Sequence, residues 1–311
     1  MKNLKVVAFA LLASVAWSCS EEEPAVVKKE TPKEVANAET LARFGTSSNL
    51  KLGDFNGDGY TDVLHATGSR WRISYGGNTP YVYTTYTSAR AKDMAIGDFN
   101  GDGKDDVIVG TGSRWQISYS ATSSWVLGPY TVSVAKDMAI GDYNGDGKDD
   151  VLVGTGSRWQ ISYSATSSWV LGPYSAAVAY DMAIGDYNGD GKDDVLVGTG
   201  SRWQFSYGAA SSWVLGPYSV ATAKDMVIGD YDGNGKSDVL VGTGNWWQIS
   251  YDAVNNWTIV RNPESSIGIN LEPGDFNNDG ISDVFNPTGS LWQVSYNGTS
   301  SWSTINTYPE Q

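Results

Sequence analysis

The chain has 311 residues, 41% of them hydrophobic, and a formal net charge of −14. That length allows a sizeable core in one large or two ordinary domains, and the acidic balance argues against nucleic acid and anionic membrane as electrostatic partners. Thirteen Trp and 18 Tyr make it rich in aromatics, and 36 Gly against 10 Pro point to many turns rather than a disordered linker.

At the N-terminus, Lys2 and Lys5 precede an apolar run from Val6 to Ala16, followed by Trp17-Ser18-Cys19. A charged start, a short apolar run and a small residue before the cut describe a signal peptide over residues 1–18. The run is too short for a comfortable transmembrane helix. Cys19 is the single cysteine, so the rest of the chain forms no disulfide, and an exported domain here would draw stability from packing and metal. A lone cysteine just past the apolar run resembles the bacterial lipoprotein signal, which implies lipidation at Cys19. Trp17, two residues before it, departs from the usual small or aliphatic residue. Ser20-Glu21-Glu22-Glu23 resembles the acidic export tag of Bacteroidetes surface lipoproteins. The expected location is the bacterial outer membrane, lipid-anchored and exposed at the cell surface, with plain secretion as the alternative. Residues 19–40, rich in Glu, Lys, Pro and Ala without an apolar period, read as a solvated tether.

Beyond the tether, Asp54, Asp98, Asp142, Asp186, Asp230 and Asp275 head one recurring block at spacings of 44, 44, 44, 44 and 45 residues. The repeats fall at about 45–91, 92–135, 136–179, 180–223, 224–268 and 269–311, inside a domain of 41–311. A period of about 40–45 residues with strand-like content is the size of a four-stranded propeller blade. In the second repeat the pattern predicts strands at Met94–Gly97, Val107–Val109, Trp115–Tyr119 and Trp125–Leu127, with Gly128-Pro129 as the turn that follows. Each unit exposes apolar faces that only a neighbour can cover, so the units stack and close. The expected fold is all-β, a six-bladed β-propeller of four-stranded blades. Which strand joins the first and last units stays open; Thr40–Thr46 is a candidate edge strand, although every block has its own fourth strand.

Each repeat carries a nine-residue loop with oxygen side chains at positions 1, 3, 5 and 9, Gly at 6, and a backbone carbonyl on offer at 7. In order, the candidate ligands are Asp54, Asn56, Asp58, Tyr60 and Asp62 in the first loop; Asp98, Asn100, Asp102, Lys104 and Asp106 in the second; Asp142, Asn144, Asp146, Lys148 and Asp150 in the third. Asp186, Asn188, Asp190, Lys192 and Asp194 follow in the fourth, Asp230, Asp232, Asn234, Lys236 and Asp238 in the fifth, and Asp275, Asn277, Asp279, Ile281 and Asp283 in the sixth. Clustered carboxylate and amide oxygens with flexible geometry suit Ca2+ better than octahedral Mg2+, so up to six Ca2+ are expected. Of the 35 acidic residues, 21 lie in these loops; six ions would leave a net charge of about −2. Position 12, where an EF-hand has its bidentate Glu, holds His65, Val109, Val153, Val197, Val241 and Asn286, and no helical pattern flanks the loop. The ions are therefore expected to be structural, neutralising clustered Asp and pinning a turn.

The Gly-Asp-[Phe/Tyr]-Asn-Gly-Asp-Gly-x-x-Asp-Val blocks resemble FG-GAP/VCBS repeats, as in the integrin alpha-chain propeller and related bacterial propellers, over about residues 45–311. The resemblance implies a β-propeller with Ca2+ in inter-strand loops. Loops five and six depart from the pattern, with Asn234 at position 5, which removes one charge, and Asn278 at position 4.

Two aromatic sets recur with the repeat. Trp71, Trp115, Trp159, Trp203, Trp247 and Trp292 alternate in phase with an apolar third-strand position and read as packing between blades. Arg70, Arg114, Arg158 and Arg202 stand beside them, replaced by Trp246 and Leu291 in the last two repeats, and are expected to cap the Trp by cation–π contact. The second set is Tyr81, Trp125, Trp169, Trp213, Trp257 and Trp302. It fits packing and shallow platforms for pyranose faces equally well, with Arg, Gln and Asp bonding the hydroxyls. Trp125, Trp169, Trp213, Trp257 and Trp302 with Arg114, Arg158 and Arg202 are thus the candidate ligand-binding residues. The arrangement also resembles fungal and bacterial propeller lectins that combine this calcium loop with inter-blade sugar pockets.

An enzyme is the weaker class. The one histidine, His65, occurs in the first repeat only, at a strand position that suits a satisfied polar residue, and there is no phosphate loop. Equal repeated sites suit multivalent weak binding better than one asymmetric catalytic constellation. The expectation is a calcium-stabilised, non-enzymatic surface propeller that binds glycans. A protein-binding adhesion module and an accessory module of polysaccharide degradation are the alternatives. It is expected as a monomer, with a glycan or surface-protein partner, no nucleic acid, and membrane contact through the lipid anchor only.

Overall fold

A computed structural model describes residues 49–306 apart from 123, 211, 244–245, 255, 262–270 and 289–290. The leader, Cys19, the tether and the candidate edge strand at Thr40–Thr46 lie outside the described residues.

Hydrophobic pattern sets the role of each strand, as the second repeat shows. Asp106–Gly110 is a nearly continuous apolar run with both faces covered, and its first four residues are buried. It pairs antiparallel with Met94–Gly97 on one side and with Arg114–Ser118 on the other, in the registers Gly97↔Asp106 and Val107↔Ser118. The fourth strand, Val126–Tyr130, closes the sheet on its outer side. It runs straight through Gly128-Pro129, where the sequence suggested a turn. The outermost strand has a free edge, so a missing N–H there costs no ladder bond. A register shift opposite, between Arg114 and Gln116, takes up the irregularity.

The same sheet recurs six times, each with its four strands in sequence order. The first strands are neighbours round the ring, including Leu50–Gly53 against Glu272–Gly274, so they line the central axis. The first and last sheets each complete their own four strands. Among the described residues no strand is exchanged where the ring closes.

The core lies between blades. Leu64, Trp71 and Ile73 of the first blade pack with Met94, Val107 and Val109 of the second, and Phe285 and Trp292 of the last pack with Val63 of the first. The first-set Trp residues are all fully buried. Each aromatic side chain removes roughly 150–250 Å² from water, an upper-bound gain of about 4–6 kcal/mol. Their indole N–H groups still need acceptors. Trp115 donates to the Ser133 carbonyl at 3.1 Å and Trp159 to that of Ala177 at 3.0 Å, in the segment leading to the next blade.

Candidate calcium loops and inter-blade grooves

Each loop links the first strand to the second and is held by its own carboxylates. In loop two, Asp98 Oδ1 accepts from the Gly101 N–H at 2.7 Å, and Oδ2 accepts from the Gly103 N–H at 2.8 Å. Both glycines take positive φ, 77° and 78°, which a Cβ would oppose. Asp102 Oδ1 accepts from the Lys104 N–H at 3.0 Å. Asp106, fully buried, accepts from the Phe99 N–H at 3.1 Å and from the Ser120 N–H at 2.8 Å. The ninth position therefore ties the loop to the turn after the third strand. Asp62, Asp150, Asp194, Asp238 and Asp283 do the same in their blades. Asn278, in the fourth position of loop six, takes φ 58°, a conformation Asn tolerates better than most side chains.

Burying these acids is electrostatically unfavourable. Desolvation first, then the neighbouring acids of the same loop, push Asp62, Asp106, Asp150, Asp194 and Asp238 up to about 7, and Asp283 to about 6, against the pull of their backbone N–H partners. A divalent cation among them relieves that repulsion, so the donor chemistry fits one. In loop five, Asp230, Asp232 and Asp238 each offer a carboxylate oxygen, all within 4.8 Å of one another. Ca2+–oxygen distances of about 2.3–2.6 Å place two ligating oxygens up to about 5 Å apart, so this triad fits a single ion. Among the described residues it is the one such acidic group. In the other loops Asn56, Asn100, Asn144, Asn188 and Asn277 bring an amide to the third position instead.

Loop five keeps its acid count by a different placement. The charge lost at Asn234 is replaced by Asp232 at the third position. Asp252, from the turn after the third strand, adds another acid, accepting from Asn234 Nδ2 at 2.8 Å and from Lys236 Nζ at 3.4 Å. At the seventh position, the Tyr60, Lys236 and Ile281 N–H groups donate to the fifth-position side chains at 2.9, 2.8 and 2.8 Å. The methylenes of Lys104, Lys148 and Lys192 lie over the fourth-position glycine of the preceding loop, 3.0–3.1 Å from where a Cβ would sit.

The eighth position, not singled out from sequence, links the loops to one another. The N–H groups of Asp105, Asp149, Asp193, Ser237, Ser282 and Thr61 donate to the first-position carbonyl of the preceding loop at 2.7–2.8 Å. Side chains reinforce this, since the Asp54 N–H donates to Asp105 Oδ2 at 2.6 Å and the Asp230 N–H to Ser282 Oγ at 3.0 Å. The signal was present as a short oxygen-bearing side chain at all six positions. It was masked by the ninth-position Asp beside it.

The second aromatic set is half-buried, and each member packs edge-on against the core Trp of the preceding blade. Trp125 meets Trp71 at 5.5 Å, Trp169 meets Trp115 at 5.2 Å, and Trp213 meets Trp159 at 5.2 Å. Trp257 meets Trp203 at 5.6 Å, Trp302 meets Trp247 at 5.3 Å, and Tyr81 meets Trp292 at 6.0 Å across the closing junction. The arginines do not cap the core Trp, as the sequence suggested. Arg114, Arg158 and Arg202 lie over Tyr130, Tyr174 and Tyr218 at 4.5, 4.7 and 4.7 Å. Their Nε atoms donate to the Gly128, Gly172 and Gly216 carbonyls at 2.6, 2.7 and 2.6 Å. The core Trp is sealed by the next blade, so the guanidinium turns to the exposed outer strand. The recurring Gly-Pro-Tyr was the sequence signal for that partner.

Grooves open at junctions between blades. Between blades four and five, a groove of ≈ 650 Å³ is lined by Trp257 and Tyr218 with Asp225, Gln248, Ser201 and Ser219. Between blades six and one, a groove of ≈ 390 Å³ is lined by Tyr81 with Asn78, Thr79, Thr304 and Asn306.

An FG-GAP-like repeat profile matches residues 54–109, 98–153, 142–197 and 186–241, overlapping windows that together run over more than half of the chain. No curated relative matches the sequence. Among solved structures, the Photorhabdus luminescens Tc holotoxin pore is similar, with TM-score 0.56 and 16% identity over 85% of this chain; the chain spans 14% of the toxin chain. An Agrocybe aegerita lectin that recognises non-reducing terminal N-acetylglucosamine is similar too, with TM-score 0.54 and 16% identity over 83% of this chain and 80% of the lectin. At these identities the likeness is one of fold.

Proposed function

The chain belongs to the FG-GAP-like repeat family, and on that premise we propose that it is a calcium-stabilised binding propeller that recognises carbohydrate in grooves between blades. The groove between blades four and five carries the reading. There Trp257 is held edge-on by Trp203 and shares the groove with Asp225, Gln248 and Ser201. A pyranose has an apolar face and a rim of hydroxyls. An aromatic surface beside convergent polar groups is the complement it needs.

The fold shared with a lectin over most of both chains supports this reading, as does the recurrence of the second-set aromatic at every junction, which suits multivalent weak binding. The six loops act as fasteners in this proposal. Their first-, third-, fifth- and ninth-position oxygens and seventh-position carbonyls would hold up to six Ca2+, with loop five the best-formed site. A bound ion supplies positive charge to buried carboxylates. No catalytic step is assigned to the protein. Display at the outer surface of a bacterium, anchored at Cys19, belongs to the same proposal.

A second reading, protein binding, has its own observation. The outer strands expose Leu127, Leu171 and Leu215 beside Tyr130, Tyr174 and Tyr218, the tyrosines each more than 70% exposed.

A glycan array probed with the protein in Ca2+ and in EDTA tests the proposal. Glycans ending in N-acetylhexosamine are expected to bind in Ca2+, and Trp257→Ala to lose them. An array empty under saturating Ca2+ overturns the carbohydrate reading and leaves protein binding at the outer strands.

A further inference from the structure

Charge is segregated within each blade. The acids crowd into the loops, whereas residues 107–136, 151–180 and 195–224 contain none. These stretches carry the third and fourth strands of blades two, three and four, and the charged residue on those strands is a single arginine, Arg114, Arg158 or Arg202. The outer part of these blades is therefore locally cationic although the chain as a whole is acidic. In blades five and six Trp246 and Leu291 stand at the equivalent position, and the series stops.

Each arginine is held in place before any ligand arrives. Thr111 Oγ1 accepts from the Arg114 N–H at 3.1 Å and donates to the Arg114 carbonyl at 2.6 Å, and Thr155 and Thr199 do the same for Arg158 and Arg202. The Nε bond to a glycine carbonyl and the stacking over Tyr130, Tyr174 or Tyr218 then fix the guanidinium. Its Nη edge is left over: among the described residues none of the three arginines forms an ion pair, and none gives an Nη hydrogen bond. In blade one, by contrast, Arg70 Nη1 donates to Tyr86 Oη at 3.1 Å. The stacked tyrosines are 73–78% exposed, so the guanidinium covers only part of each ring.

We infer that the outer strands of blades two, three and four bind an acidic polysaccharide whose pyranose rings carry a carboxylate, one uronate at each Arg–Tyr pair. The Nη edge presents two parallel N–H groups to a carboxylate, a geometry lysine does not offer. One guanidinium matches the single charge of a carboxylate, whereas a phosphate ester, with a charge of about −1.5 to −2, calls for a cluster of cations. The exposed tyrosine ring supplies the flat apolar surface that a pyranose face needs, and an acidic polypeptide has no such face. Like sites on consecutive blades suit a polymer that repeats its carboxylate along the chain. The inference does not use the inter-blade grooves, although Tyr218 borders one of them, so it is tested on blades two and three.

Titration calorimetry of the full chain in Ca2+ with sodium hyaluronate, a linear polymer of alternating uronate and N-acetylhexosamine, tests the inference. Its methyl ester and poly-glutamate are the comparators. Hyaluronate is expected to bind saturably, the neutral ester and the acidic polypeptide far more weakly. Excess N-acetylglucosamine, a ligand for the grooves under the glycan reading, is expected not to displace it. Arg114→Ala with Arg158→Ala is expected to weaken hyaluronate about tenfold or more. Arg114→Lys with Arg158→Lys keeps the charge without the planar fork and is expected to weaken it similarly; if the alanine pair does not fold, the lysine pair decides. Absence of saturable hyaluronate binding, an ester or poly-glutamate that binds as tightly, displacement by N-acetylglucosamine, or a lysine pair at the unsubstituted affinity overturns the inference.

Discussion

Thr61 and Asp275, 214 positions apart, are bonded twice: the Thr61 N–H donates to the Asp275 carbonyl at 2.7 Å, and the Asp275 N–H donates to Thr61 Oγ1 at 2.8 Å. Asn278 Nδ2 adds a bond to the Asp58 carbonyl at 3.2 Å. The ring therefore closes through the loops that face each other at every other junction, without a shared strand among the described residues.

Thr61→Val keeps the shape and removes the acceptor, leaving the Asp275 N–H unpaired. Urea denaturation should show a loss of about 1–3 kcal/mol. Ser282→Ala, the equivalent change between blades five and six, should cost a similar amount. A silent Thr61→Val beside a costly Ser282→Ala would mean that the closing junction is held elsewhere.

Chelation should lower the unfolding temperature, and added Ca2+ should restore it. An ion that binds the folded state alone stabilises by about 2.7 kcal/mol at a hundredfold excess over its Kd. The midpoint should therefore keep rising with ion concentration. Asp238→Asn, which weakens the loop-five triad, should reduce the calorimetric stoichiometry by one. Identical unfolding curves in EDTA and in Ca2+ would dismiss the ions as fasteners.

The two Trp sets should separate by experiment. Trp159→Ala empties a fully buried site and should cost about 3–5 kcal/mol. Trp257→Ala should cost less, because its ring is half-buried, and yet lose glycan binding. Equal destabilisation with glycan binding retained would make the second set packing alone.

Acid should act through His65. Arg72 Nε and Nη2 both donate to His65 Nδ1, at 3.1 and 2.9 Å, which requires a neutral ring. Burial first, and the Arg72 charge second, lower its pKa from 6.5 to about 4. The folded state therefore disfavours the protonated ring. This contribution is full above pH 6.5 and is lost as pH falls from 6.5 towards 4. His65→Gln should flatten the fall in denaturation midpoint across that window, and an unchanged slope would rule the histidine out as its source.

The parts legible in the sequence were those governed by local spacing. Met94–Gly97 was placed to the residue, because Met-Ala-Ile-Gly runs directly into an Asp-rich turn. The nine-residue loops and the burial of the first Trp set followed from period alone. What stayed hidden depends on which residues of neighbouring blades meet. Nothing within one repeat says that Trp125 lies on Trp71, or that Asp105 accepts from the Asp54 N–H. The lining of the central axis was hidden for the same reason, since it is assembled from one strand of each blade. Arg114 was drawn to the wrong aromatic because Trp115 is adjacent in sequence, while Tyr130 reaches it only through strand pairing.

The prolines in the outer strands have a consequence for how copies of this chain meet. A free strand edge is a template on which another chain can add a strand, and near-identical repeats make such templating easy. Pro129, Pro173 and Pro217 interrupt that edge in blades two, three and four, whereas the outer strands Val82–Tyr86, Trp257–Arg261 and Ser303–Asn306 contain none. The strand edges free of proline are thereby those of the half of the ring formed by blades five, six and one, where sequence divergence between the repeats is also greatest.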